Sequence, residues 1–324
     1  MEKRKLGDLE VSAVGLGCMG LSHAYGAAMG KMAALDVLRQ AYEMGYTFFD
    51  TAEGYTGISS DGNVSCNEEL VGEALRDVRD KVIIATKFGI KLKPDKGLIM
   101  DSRPETIRKS VEGSLKKLGT DYIDLYYQHR IDSKVAPEEV AATMGELIKE
   151  GKILHWGISE TTEDYLRRAH AVCPVTAVQN RYSMMARWHE SLFPVLEELN
   201  VGLVAFSPMA NGFLTGKYNQ NSQFAGDSDY RTIMPQYTKE GMEKGKELLE
   251  MLKTMAKEKN ATPAQLSLAW MLCQKSWIVP IPGSRKVSRL EENMVSAEIK
   301  ISAEEIRKIN EALDQMDLLV FGGH

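Results

Sequence analysis

Four residues of unlike chemistry occupy corresponding points along the chain. Asp50 closes Thr47-Phe-Phe-Asp50, Lys87 closes Val82-Ile-Ile-Ala-Thr-Lys87, and His129 follows Ile123-Asp-Leu-Tyr-Tyr-Gln-His129. Tyr55 lies just beyond Asp50. Together they offer a carboxylate, an ammonium, an imidazole and a phenol. A free phenol titrates at about 10, too high to exchange protons efficiently at neutral pH. An adjacent ammonium stabilises the phenolate, so Lys87 is expected to lower the Tyr55 pKa, with Asp50 keeping Lys87 charged and oriented. His129 is expected to donate to a substrate carbonyl and fix its direction. Singly, each has an ordinary explanation. A strand-end Asp caps helices, a lone His packs, and a lone Lys serves as a Schiff-base nucleophile in barrel aldolases. Four such residues in register at one end of consecutive strands point to a site.

The elements that must position them follow from the hydrophobic pattern. Short β-rich runs, several wholly apolar as in strands buried on both faces, fall at Ala13–Leu16, Thr47–Asp50, Val82–Thr86, Ile123–Tyr127, Ile153–Gly157, Val175–Val178, Gly202–Phe206 and Ile278–Ile281. Helical spacing fills the intervals. It runs over Met32–Glu43, over Glu68–Arg76 after a candidate N-cap at Asn67, and from Pro104 to Lys117 between Ser102 and Gly119. It continues from Pro137 to Gly151, from Thr162 to Ala171, and over His189–Leu199 and Pro263–Cys273. Eight strand–helix units without a long linker predict a closed (β/α)8 TIM barrel, an α/β fold formed as a single domain over 1–324. Two extra helices are expected at Glu240–Lys259 and Ala303–Met316, and an N-terminal β-hairpin within Met1–Val11 would close the barrel floor.

Gly15-Leu-Gly17-Cys-Met-Gly20 matches the dinucleotide-binding G-x-G-x-x-G, but Leu21-Ser-His-Ala-Tyr-Gly26 does not open a helix. No acid ends a strand at the required distance either, so these glycines are read as tight turns at the barrel mouth. The 324 residues carry a net charge of −5, which gives no global field for nucleic acid or anionic lipid. Cys18, Cys66, Cys173 and Cys273 have neither disulfide-framework nor metal-ligand spacing, so no metal is expected. Without an apolar leader or a membrane-length apolar run, a cytoplasmic protein is expected.

Several segments resemble the aldo-keto reductase family, in its order: Asp50-Thr-Ala-Glu-Gly-Tyr55, Ala85-Thr-Lys-Phe-Gly89, Leu125-Tyr-Tyr-Gln-His-Arg130, Gly157-Ile-Ser-Glu160, Val178-Gln-Asn-Arg-Tyr-Ser183, Ala205-Phe-Ser-Pro208, Gly212-Phe-Leu-Thr-Gly-Lys217 and Ile281-Pro-Gly-Ser-Arg-Lys286. Arg289-Leu-Glu-Glu-Asn293 completes the series. The style is similar to microbial and plant reductases of aldehydes, ketones or quinones, and to the potassium-channel β-subunit branch. The resemblance implies a catalytic tetrad of Asp50, Tyr55, Lys87 and His129, with NADPH/NADP+ extended across the barrel mouth. Hydride would pass from the nicotinamide to the carbonyl carbon of a small-molecule substrate, and Tyr55 would protonate the oxygen.

The resemblance also implies a cofactor site. Ser159, Gln179 and position 160 would bind the carboxamide; many relatives have Asn where this chain has Glu160. Phe206 would stack on the nicotinamide, and Gly17 and Met19, with Asp50, would approach its ribose. Ser207, Pro208, Met209, Asn211, Gly212, Leu214 and Lys217 would line the pyrophosphate through main chain and side chains. Gly283, Ser284, Arg285, Arg289, Glu292 and Asn293 would hold the adenosine phosphate. Physical chemistry agrees on the last cluster: Ser284, Arg285, Lys286 and Arg289 place three cations and a hydroxyl near a helix start, which suits a 2′-phosphate. Thr56 departs from the Gly usual after the catalytic tyrosine. Substrate choice is assigned to loops at His23–Met29, Gly57–Cys66, Arg181–Trp188 and Gln220–Tyr237. Two alternatives stand beside carbonyl reduction: a cofactor-binding regulatory subunit with little turnover, and a Lys87 Schiff-base lyase.

Overall fold

The computed structural model describes residues 1–92, 97–224, 226 and 229–322. A hairpin opens the chain, β1 (Lys3–Leu6) with β2 (Leu9–Ser12), and then strands and helices alternate. In order come β3 (Leu16–Gly17), α1 (Lys31–Glu43), β4 (Phe48–Asp50), the hairpin β5 (Thr56–Ile58) and β6 (Val64–Cys66), and α2 (Asn67–Leu75). Next are β7 (Ile83–Phe88), the hairpin β8 (Ile90–Leu92) and β9 (Leu98–Met100), α3 (Pro104–Leu118), β10 (Ile123–Gln128) and α4 (Pro137–Lys149). They are followed by β11 (Ile153–Ser159), α5 (Glu163–Val172), β12 (Ala177–Arg181), α6 (Phe193–Glu198) and β13 (Gly202–Phe206). The chain ends through α7 (Lys239–Lys244), α8 (Lys246–Glu258), α9 (Pro263–Gln274), β14 (Ile278–Pro280), α10 (Val287–Val295) and α11 (Ala303–Asp314).

Eight strands form one parallel sheet in the order β14-β13-β12-β11-β10-β7-β4-β3. Its two edges meet: the Gly15 N–H donates to the Pro280 carbonyl at 2.9 Å and the Gly17 N–H to Pro282 at 3.4 Å. The sheet therefore curls into the expected (β/α)8 barrel. Glycine is required at this seam, because a Cβ on Gly17 would sit 2.7 Å from the Ile281 carbonyl oxygen and one on Gly283 would sit 2.7 Å from that of Gly17. The G-x-G-x-x-G stretch thus closes a barrel, and Met19–Leu21 after it makes one 3-10 turn.

Alternation along the strands sorts side chains between two cores. Phe48, Ala85, Leu125, Tyr127, Ala177, Val204 and Val279 fill the barrel interior together with Leu6, Leu9 and Val11 of the hairpin, which plugs the floor as expected. Ile84, Tyr126 and Val178 face outward into the larger core beneath the helices. The same period of two, carried one step past the interior layer, aims Asp50, Lys87, His129, Gln179 and Phe206 into the mouth.

Several boundaries differ from expectation. The first strand shrinks to Leu16–Gly17, and the run at Val175–Val178 becomes Ala177–Arg181 because Gln179, Asn180 and Arg181 continue the ladder into the site. The helix expected over Glu240–Lys259 breaks at Gly245, where the Phe213 ring would lie 2.4 Å from any Cβ. Extra helices outside the eightfold count therefore number three among the described residues, α7, α8 and α11. Asn67 is the first residue of α2 and not its cap; its side chain turns inward to Thr51 Oγ1, the Cys18 carbonyl and Ser22 Oγ. Arg103, between Ser102 and Pro104, holds the cap position of α3. Gly57–Cys66 is largely a hairpin. Within the loop expected over Gln220–Tyr237, positions 225, 227 and 228 lie outside the described residues. No helix among the described residues is long and apolar enough to cross a membrane.

Candidate active site

Lys87 is fully buried, and its Nζ donates to Asp50 Oδ1 at 2.5 Å, to the Thr51 carbonyl at 2.7 Å and to the Tyr55 hydroxyl at 3.4 Å. A buried ammonium is tolerated only when paired and hydrogen-bonded in this way. Burial by itself would lower the Lys87 pKa, but Asp50 and Tyr55 outweigh it and raise the value. Lys87 is therefore a permanent cation at neutral pH, the opposite of what a Schiff-base nucleophile needs.

Tyr55 is half-buried and held from behind. Ser22 Oγ and the Asn67 N–H each donate to its carbonyl at 3.0 Å. The His23 ring lies parallel to the phenol at 6.0 Å, and His129 meets it edge-on at 5.7 Å. The expected lowering of the phenol pKa is corrected. Desolvation raises it above the usual value, and the Lys87 ammonium only partly offsets this. Tyr55 thus carries its proton at neutral pH. His129 is pulled well below the normal histidine range, first by burial and then by Lys87, Arg130 and His23, so its ring is neutral. A neutral imidazole and a protonated phenol side by side make two donors for one oxygen atom.

Around this group the other expected residues are partly assembled. Gln179 Nε2 donates to Asp50 Oδ2 at 2.7 Å, and buried Ser159 accepts from Arg130 Nη1 at 3.0 Å. Glu160, at φ 55°, commits one carboxylate oxygen to the Arg181 N–H at 2.9 Å, with His189 at 3.8 Å, so its carboxylate is engaged with the end of β12. Phe206 lies under two guanidinium groups, Arg181 at 4.9 Å and Arg130 at 5.8 Å from the ring centre. After it, Ser207, Ala210, Asn211 and Gly212 take φ values of 50°, 47°, 58° and 100°, a tightly wound left-handed loop in which the Ala210 and Gly212 N–H groups donate to the Ser207 and Met209 carbonyls at 2.9 Å. Asn211 is anchored by Nδ2 donating to Tyr25 Oη at 2.9 Å and by its carbonyl accepting from Tyr237 Oη at 3.0 Å. Leu214 is corrected: its side chain belongs to the core and its N–H donates to the Met209 carbonyl at 3.3 Å, while Pro208 is buried. Met209 is half-buried against the core, and Lys217 is exposed beside the Tyr218 ring.

Across the seam, Gly17 and Gly283 touch, with half-buried Met19 just beyond. Ser284 Oγ accepts from the Lys286 N–H at 3.0 Å. Arg285 reaches back to the Gly20 and Ala27 carbonyls, and its Nη2 is buried without a hydrogen-bond partner among the described residues. Arg289 pairs with Glu292, which accepts from Thr262 Oγ1 at 2.6 Å. Asn293 is buried with Nδ2 unpartnered among the described residues. Arg181 and His23 were expected only as the ends of loops assigned to substrate choice and Asn67 only as a helix cap, and Arg130 was given no role. Arg181 was within reach of the period-two pattern, two residues past Gln179; His23 carries no signal in the sequence.

A closed parallel barrel whose strand ends gather a carboxylate, an ammonium, a phenol and a neutral imidazole is an enzyme scaffold with proton-transfer groups at its mouth. Residues 13–314 match the model of the aldo/keto reductase family. The chain is 40% identical over 306 residues to probable aldo-keto reductase 1 of Glycine max, covering 94% of this chain and 86% of that one. It is 37% identical over 323 residues to the aldo-keto reductase yakc [NADP(+)] of Schizosaccharomyces pombe, covering 98% and 92%. Its fold matches the solved glycerol dehydrogenase of Gluconobacter oxydans with a TM-score of 0.86 at 25% identity, over 97% and 96% of the two chains. The chain belongs to the aldo/keto reductase family and is an oxidoreductase of that family.

Proposed function

We propose that this chain reduces an aldehyde or ketone to an alcohol with NADPH, Tyr55 supplying the proton. The reading rests above all on the Tyr55 hydroxyl held 3.4 Å from a buried Lys87 ammonium that is itself fixed by Asp50 at 2.5 Å. His129 orients the carbonyl by donating to its oxygen. Tyr55 transfers its proton to that oxygen as negative charge develops, and Lys87 stabilises the phenolate left behind. Asp50 keeps Lys87 charged and aimed.

The residues at the mouth fit a pyridine dinucleotide. The cofactor, when bound, supplies the hydride to the carbonyl carbon. Ser159 and Gln179 would hold its carboxamide, Phe206 its ring, the left-handed loop from Ser207 its pyrophosphate, and the orphaned donors of Arg285 and Asn293, with Ser284 and Arg289, its adenosine phosphate. The name of the Schizosaccharomyces pombe relative carries NADP(+), which supports the phosphorylated form.

The test is NADPH consumption against a panel of aldehydes, ketones, quinones and pyridoxal, with borohydride trapping in parallel. Turnover on at least one carbonyl class is expected. Tight NADPH binding without turnover over the panel would replace this reading with a regulatory one, and a borohydride-stable adduct on Lys87 would replace it with a lyase.

A further inference from the structure

Two cations at the mouth have no role in the chemistry above. Arg181 is 8% exposed, yet its guanidinium makes a single long hydrogen bond, from Nη1 to the neutral Asn211 Oδ1 at 3.4 Å. Arg130 donates from Nη1 to the His129 carbonyl at 2.6 Å and to Ser159 Oγ at 3.0 Å, all neutral acceptors. Neither guanidinium has a carboxylate within 4.0 Å among the described residues, although most other arginines of the chain do. The nearest acid in charge terms is Glu160, and its engaged oxygen goes to the Arg181 main chain and to His189. Both guanidiniums nonetheless converge on one ring, at 4.9 and 5.8 Å from the centre of Phe206.

Two like charges crowded around one aromatic ring, one of them nearly removed from water and lying also over the Phe321 ring at 5.5 Å, form an arrangement that an anion relieves. Burial and the neighbouring Arg130 work against the Arg181 cation, and Glu160 offsets them only in part, so its pKa is lowered. Planar guanidinium forks match a carboxylate bidentately, at a strength a neutral group does not reach. The anion's position follows from Arg130, which is bonded to the main chain of His129, the residue that orients the carbonyl. Arg130 also acts on the charge of both Tyr55 and His129, which puts its fork beside the reacting oxygen, whereas Arg181 reaches Asn211 of the loop assigned to the pyrophosphate, so the cofactor is the competing anion. We infer that Arg130 and Arg181 form an anion-recognition pair for the substrate, so that the preferred carbonyl compounds carry a carboxylate or similar anionic group on the part of the molecule away from the reacting carbon.

This rests on the carbonyl-reductase reading, and the experiment separates the two. The probes are 4-carboxybenzaldehyde and its neutral methyl ester, methyl 4-formylbenzoate, compared by kcat/KM, with NADPH binding followed by fluorescence. The wild-type enzyme is expected to prefer the carboxylate by about 10- to 100-fold, mostly through KM. Arg181→Met should bring that ratio to about one, and Arg181→Lys should retain part of it. A wild-type ratio at or below one overturns the inference. So does an Arg181→Met enzyme that keeps the ratio while losing affinity for NADPH, which would assign the anion to the cofactor. Calorimetry of both aldehydes against the NADP+ complex supplies the independent arm. Tighter carboxylate binding that disappears in Arg181→Met, in an enzyme with no turnover, would sustain the anion site while removing the reductase reading.

Discussion

The amide of Gln179 on β12 donates to Oδ2 of Asp50 on β4 at 2.7 Å, a contact that spans the barrel interior because β7, β10 and β11 separate those strands around the sheet. Both oxygens of Asp50 are thereby occupied, one by Lys87 and the other by Gln179. Gln179→Leu leaves a buried carboxylate oxygen unpaired and should cost about 1–3 kcal/mol of stability. It should also lower kcat and weaken NADPH together. Denaturant unfolding alongside steady-state kinetics measures both, and a variant that loses stability alone would make Gln179 purely structural.

Tyr55→Phe removes the proton donor while keeping the ring against His23 and His129. Carbonyl reduction should fall by about 10²- to 10⁴-fold, with NADPH fluorescence quenching largely intact. A variant with wild-type kcat would show that another group supplies the proton.

The pH profile follows from two displaced pKa values. His129 is held well below the ordinary histidine range by burial, so it stays neutral as pH passes through about 6.5. Reduction should therefore show no limb there. Tyr55, raised by desolvation, keeps its proton up to and beyond the usual phenol value, so reduction should decline only in strongly alkaline solution. For stability the His129 sign is the reverse of a salt-bridged histidine. Below about pH 6.5 the unfolded chain takes up a proton that the folded site refuses, so stability falls as pH drops. A rate limb near 6.5 that vanishes in His129→Gln would contradict the neutral imidazole.

The two arginines after the last strand should behave differently on substitution. Arg289 is exposed and, among the described residues, paired only with Glu292, so Arg289→Ala should raise the Kd of NADPH about tenfold and leave NADH nearly unchanged. Arg285 also ties down the Gly20 and Ala27 carbonyls. Its loss should loosen the loop beside Gly17 and Met19 and so weaken both cofactors. Titration of each variant with NADPH and NADH distinguishes the two patterns; equal losses of both cofactors in Arg289→Ala would remove the phosphate assignment.

Much of the barrel was legible because several of the strands buried on both faces are largely apolar, and Pro104, Pro137 and Gly119 mark helix ends plainly. Asp50, Lys87 and His129 stood out because they break that apolar pattern in the same register. What escaped depended on distant packing. Asn67 looked like a helix cap, but its side chain is recruited by Thr51 and Cys18, neither adjacent in sequence. Gly245 sits at the division between α7 and α8, where the distant Phe213 ring occupies the space of any side chain. The Tyr55 pKa was misjudged for a related reason: the sequence supplies the neighbouring charge but not the depth at which the hydroxyl is buried.

The seam of the barrel joins the first sheet strand to the last. Gly15 and Gly17 cannot find the carbonyls of Pro280 and Pro282 until nearly the whole chain has been made. Closing so long a loop is entropically costly and comes late, so the nascent barrel carries an open edge through most of its assembly. Residues proposed to grip the cofactor lie on both banks of that edge, Gly17 and Met19 on one side and Gly283 and Arg285 on the other. A ligand held between them acts as a clasp, resisting unfolding at the place where the ring is most easily reopened.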